Sequence, residues 1–102
     1  MSNSKQAIID VIKNLVENNG GNYSTFYVGI SDDPENRLFN DHEVDKASGV
    51  YDYWEAYDDE DAREVEKYCI NTLGTKGGGG GGDENSDNVY AYKITPDTDE
   101  NA

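Results

Sequence analysis

Apolar residues recur along this chain with two different periods, and the switches between them mark its elements. Between Ser4 and Asn18, Ile8, Val11, Ile12, Leu15 and Val16 fall at helical spacing behind a capping serine, and Asn19-Gly20-Gly21 ends the run. An amphipathic helix that covers a sheet is expected there. From Tyr23 to Ser31 the period drops to two, with Phe26, Val28 and Ile30 alternating against Thr25, Tyr27 and Gly29, so Tyr27 should lie on the face opposite Phe26 and Val28. Asp32-Asp33-Pro34 stops this strand and opens a short helix carrying Arg37, Leu38 and Phe39 to about Asp41.

The second half repeats the strand-then-helix order. Gly49 to Tyr57, weighted by Val50, Tyr51, Tyr53 and Trp54, reads as a strand. Asp58 to Asp61 place carboxylates where a helix N-terminus favours them, and the helix should run from about Glu60 to Leu73. It would turn Ala62, Val65, Cys69, Ile70 and Leu73 inward, and Gly74 closes it. Six glycines at Gly77 to Gly82 read as a flexible loop spanning 75–88; a phosphate cradle would follow a strand, open a helix and carry Lys with Ser or Thr in register. Val89 to Thr95 makes a last strand, and Pro96 onward reads as a disordered acidic tail, 96–102. The expectation is one α+β domain spanning 1–102, an antiparallel sheet of about three strands flanked by helices.

Composition narrows the function. With 102 residues there is room for one core, and an apolar fraction of 34% with eight Tyr, two Phe and one Trp makes that core aromatic. Twenty-two acidic residues against eight basic ones give a net charge of −14, a field that repels phosphate and disfavours non-specific nucleic-acid binding. The same charge suits a basic protein partner or cations held by carboxylates. Cys69 is the single cysteine, so no internal disulfide or thiolate zinc site is available, and a core thiol in a reducing, cytoplasmic setting is expected. No apolar run long enough to span a membrane and no signal-peptide pattern is visible.

A strand ending Tyr27-Val28-Gly29, Arg37 on the following helix, His42 soon after it and Glu66 four residues beyond Ala62 on a later helix together resemble the GIY-YIG nuclease superfamily. The likeness runs from about Phe26 to Ile70, through FYVGISDDPENRLFNDH and DAREVEKYCI. Tyr27-Val28-Gly29 resembles the second signature tripeptide, Arg37 the helix arginine, His42 the histidine after it at a gap of five where four is commoner, and Glu66 the acidic metal ligand. The resemblance implies a GIY-YIG-like fold and phosphodiester hydrolysis with Mg²⁺ on Glu66, Arg37 on the scissile phosphate, and Tyr27 or His42 orienting or deprotonating the attacking water.

Two features depart from that pattern. The strand that normally carries the first tripeptide is replaced by the helix Ser4–Asn18, so the first catalytic tyrosine is missing from its usual place; one repair is a permuted arrangement in which the last strand lies beside Tyr27 and supplies Tyr90 or Tyr92. From Tyr27 to Ile70 there are fourteen acidic and four basic residues, a local balance of −10 with no basic patch for a duplex. The alternative is a catalytically inactive interaction module that binds a basic protein through Asp58–Asp61 and the acidic tail, or mimics nucleic acid.

Overall fold

Ser4 accepts a hydrogen bond from the Ala7 amide at 3.2 Å and so starts helix α1, Lys5–Glu17, in the computed structural model, which describes residues 2–77 and 86–100. The 78–85 part of the expected glycine-rich loop, and 101–102 of the expected tail, lie outside the described residues. α1 buries Ile8, Ile9, Ile12 and Val16, whereas Val11 is exposed. The buried stripe is rotated toward Ile9 because a second helix packs along that flank, where Ile9 and Val65 belong to one core cluster. Gly20 and Gly21 then adopt left-handed φ of 108° and 74°, a conformation that stops the helix and that a Cβ would oppose.

Strand β1, Phe26–Ser31, is buried along its whole length. A wide helical turn, Asn36–Asp41, follows, then strand β2, Tyr51–Glu55. Helix α2, Asp59–Tyr68, is capped by the Asp58 carboxylate on the Asp61 amide at 2.8 Å, with Asp59, Glu60 and Asp61 in its positive first turn and Lys67 in its last. It runs on as a second wide turn, Cys69–Leu73, which Gly74 ends at φ 91°. Strand β3, Asn88–Lys93, completes the protein's three-stranded sheet.

The sheet order is β1-β3-β2, with both outer strands antiparallel to β3. The last strand in sequence is therefore the central one. Its register sets Tyr92 opposite Tyr27 and Tyr90 opposite Gly29 on one side, and Tyr92 opposite Tyr51 and Tyr90 opposite Tyr53 on the other. The outer edge of β1 is partly covered by Lys76, whose carbonyl accepts from the Val28 amide and whose amide donates to the Phe26 carbonyl.

Alternation along β1 and β3 splits the core into two layers. Phe26, Val28, Ile30, Val89 and Ala91 face α1 and α2, packing with Ile8, Ile12, Val16, Ala62, Val65 and Cys69. Each fully buried Ile or Val there contributes about 1.5–3 kcal/mol. Tyr27, Tyr90 and Tyr92 project from the opposite face, where Leu38 and Val44 close over them. The chain is thus a mixed α+β domain with one open antiparallel sheet. Among the described residues no helix is long and apolar enough to cross a membrane.

Where an acidic tail was expected from Pro96, residues 95–100 turn back onto the aromatic face. The Thr95 amide bonds Thr98 Oγ1 at 3.0 Å, and the Asp99 amide donates to the His42 carbonyl at 2.7 Å.

Candidate functional site

The site begins with the missing side chain of Gly29. A Cβ at Gly29 would stand 2.4 Å from Tyr90 Oη and 2.5 Å from its ring carbon, so only glycine lets the Tyr90 ring lie across β1. Tyr27 and Tyr92 stack beside it, with centroids 5.2 Å apart and planes at 20°.

His42 reaches these rings because of the wide turn before it. The His42 amide donates to the Arg37 carbonyl five residues back at 2.8 Å, so the turn holds one residue more than an α-helical turn. The gap of five between Arg37 and His42 is thereby absorbed, and both side chains arrive at the same phenol. Tyr90 Oη lies 2.8 Å from His42 Nε2 and is also hydrogen-bonded by the Arg37 guanidinium. Arg37 holds the Asp41 carboxylate at 2.7 Å as well and stays about one-third exposed. On its other side, His42 Nδ1 lies 2.6 Å from the Asp99 carbonyl oxygen and 3.0 Å from Tyr92 Oη. The Tyr27 ring covers the imidazole at 4.6 Å.

Burial governs the electrostatics of this group. Tyr27, Tyr90, Tyr92 and His42 are at most 5% exposed. Desolvation pushes the Tyr90 phenol far above the ordinary tyrosine range, Tyr27 adds to the shift and Arg37 opposes it. Tyr92 is raised in the same way by burial, then by Tyr27 and Tyr90. Burial holds His42 below its usual value, against the pull of the Asp99 carbonyl. The imidazole is therefore neutral and the Tyr90 and Tyr92 phenols are protonated at neutral pH.

Glu66 comes from α2, the helix that packs on the aliphatic face of the sheet. It follows Ala62 by one helical turn on α2 and is 6% exposed, with its pKa raised by burial and Arg63 pulling it back. Its charge acts on Tyr90 and on Cys69, whose thiol is pushed up to about 12 chiefly by burial and is inert at neutral pH. No described hydrogen bond joins the Glu66 carboxylate to the other site residues. Of the sequence-predicted set, Tyr27, Arg37, His42 and Tyr90 thus meet in one cluster, and Glu66 acts on Tyr90 through its charge, with no hydrogen bond to the cluster among the described residues.

Among the described residues no three His, Cys, Asp or Glu side chains gather as a metal cage. Mg²⁺ keeps several waters and is commonly held by one or two carboxylates together with substrate phosphate. Glu66 is the residue that would hold it.

One participant, Asp99, and the part played by Gly29 within its tripeptide escaped the sequence reading. The Asp99 contribution is a backbone carbonyl, which no side-chain pattern can announce. The Gly29 gap had a signal, a glycine inside a buried strand, which marks close approach by another group. No family model, curated protein or solved structure matches this chain.

Proposed function

We propose that this chain is a permuted, divergent GIY-YIG-like domain that hydrolyses phosphodiester bonds with one divalent metal ion. The observation that carries the reading is the meeting of Tyr27, Arg37, His42 and Tyr90 on one sheet face, with Tyr90 supplied by the strand that pairs beside Tyr27. That pairing is the one a permuted arrangement of the resemblance would use. Arg37 offers a forked, partly exposed cation to a scissile phosphate. Tyr90 and His42 supply a proton-transfer pair, and Glu66 is the carboxylate for Mg²⁺, which when bound would polarise the phosphoryl oxygens.

A test is cleavage of supercoiled plasmid, single-stranded DNA and RNA in low salt with Mg²⁺ or Mn²⁺. Metal-dependent nicking is expected, with Arg37→Ala and Tyr90→Phe each losing about 10²-fold or more. Turnover that persists in both variants, or none in the wild type with any of the three substrates, would remove this reading.

A second reading is favoured by the near-complete burial of the phenols and the net charge of −14: an inactive acidic module that binds a basic protein or mimics nucleic acid. It predicts no cleavage and a salt-sensitive association that leaves the His42 environment unchanged.

A further inference from the structure

We propose that the backbone carbonyl of Asp99 fixes the proton of His42 on Nδ1, and that this makes Tyr90, and not Tyr92, the phenol whose proton the imidazole can accept. The inference deepens the nuclease reading and rests on it for the identity of the reaction served.

A carbonyl oxygen can only accept a hydrogen bond. With Asp99 O at 2.6 Å from Nδ1, an unprotonated Nδ1 would set two lone pairs against each other at hydrogen-bond distance in a buried site. Nδ1 therefore carries the hydrogen. A neutral imidazole has one N–H, so Nε2 is an acceptor, and the group 2.8 Å away from it is the Tyr90 hydroxyl. Tyr90 donates to Nε2 and receives a hydrogen bond from Arg37 on its oxygen. The chain of donors runs from Arg37 to Tyr90, from Tyr90 to His42, and from His42 to Asp99.

Tyr92 sits on the opposite nitrogen. Its oxygen is 3.0 Å from Nδ1, where it can share the Nδ1 hydrogen but has no lone pair to which it can give its own. Two tyrosines that are two residues apart on one strand, both buried and both touching His42, thus receive opposite roles. Strong burial of Tyr90 makes a standing phenolate unavailable at neutral pH, so its proton must leave as another arrives.

The step balances as a relay. As the oxygen of a water bonds to phosphorus and the bond from phosphorus to the leaving oxygen breaks, the water proton passes to Tyr90 Oη and the Tyr90 proton passes to His42 Nε2. The resulting imidazolium keeps its Nδ1 hydrogen on Asp99. It returns the Nε2 proton through Tyr90 to the leaving oxygen. Asp99 acts in this scheme as a positioning residue.

His42 is the only histidine in the chain, so its two ring nitrogens can be read without assignment by long-range ¹H–¹⁵N correlation on the full-length, histidine-labelled protein. At pH 7.5 the expected spectrum has Nδ1 protonated and Nε2 unprotonated. Tyr90→Phe should move the Nε2 resonance toward that of an unbonded nitrogen, while Tyr92→Phe should leave it in place. Asp99→Pro, which removes the amide that anchors this segment to the His42 carbonyl, should bring in the other tautomer; Thr98→Ala, which loosens the same turn, provides a second route if the proline variant fails to fold. A proton on Nε2 in the wild type, or an Nε2 shift that answers to Tyr92 and not to Tyr90, overturns the proposal. The measurement uses no substrate. A wild-type chain with the proton on Nδ1 but no cleavage would support the proton assignment and remove the nuclease reading alone.

Discussion

The two faces of the sheet are built from the same strands and do opposite work. Val89 and Ala91 point into a layer of aliphatic side chains under α1 and α2, while Tyr90 and Tyr92, their immediate neighbours, point into a layer of phenols around one imidazole. The first layer is non-directional and gains free energy from area removed from water. The second is directional, since each buried oxygen or nitrogen must find its partner at the right distance or cost about 1–3 kcal/mol. Stability and chemistry are thereby assigned to different sides of a single sheet, and a change on one side should read differently from a change on the other.

The sharpest break is Phe26→Ala. Phe26 is fully buried in the aliphatic layer, and its truncation should cost about 3–5 kcal/mol, measured as a lower urea midpoint, before the tyrosines are touched. Gly29→Ala attacks the other side. The added methyl meets Tyr90 Oη at 2.4 Å, so a loss of about 1–3 kcal/mol is expected, accompanied by detachment of Tyr90 from His42 that the imidazole ¹⁵N spectrum would register. If both variants lose stability with an unchanged histidine spectrum, the division between the faces is mistaken.

Acidification discriminates next. His42 faces Tyr27, Tyr90 and Tyr92 and feels Arg37, Asp41 and Asp99; its folded-state pKa is depressed by burial. Its contribution is complete above the unfolded value near 6.5 and is lost as pH falls from there through the folded value, at no more than about 1.4 kcal/mol per pH unit. Glu66 has the opposite sign. Its folded pKa is raised, so its contribution is complete below the ordinary value and lost as pH rises through the folded one. Glu66→Gln should therefore steepen the acid-side fall in unfolding free energy, as followed by urea titrations between pH 7 and 4. The smallest effect expected is a gain. Thr75 Oγ1 is buried without a hydrogen-bond partner among the described residues, and Thr75→Val should add about 1 kcal/mol to the urea-derived stability while moving neither the histidine spectrum nor its pH response.

Much of the scaffold was legible because periodicity and caps are local. Ser4 and Gly20-Gly21 bracket α1, and Asp58 and Gly74 bracket α2 with its wide continuation, as the sequence predicts. β2 is shorter than expected, Tyr51–Glu55, and Tyr57 beyond it is 63% exposed. The sequence reading groups Tyr27, Arg37, His42 and Glu66; no described hydrogen bond brings Glu66 to the others, and the meeting of Arg37 and His42 depends on a turn with one extra residue, a backbone choice that spacing alone does not reveal. The central place of β3 was legible only in part, since alternation predicts a strand and the permuted resemblance sets it beside Tyr27, while nothing local says that β2 pairs on its other side. Asp99 was illegible because its part is played by an atom that every residue carries.

The central position of β3 also bears on how the chain is made. β1 and β2 do not pair with each other, so until Asn88–Lys93 has left the ribosome neither has its ladder neighbour, and both present open backbone edges to whatever is nearby. The sheet closes in a late step that joins residues far apart in sequence, which makes folding slow relative to a helical protein of this size. A nascent chain stalled before residue 88 would display two unpaired strands and no sheet, a species for chaperones to hold rather than a partly folded domain.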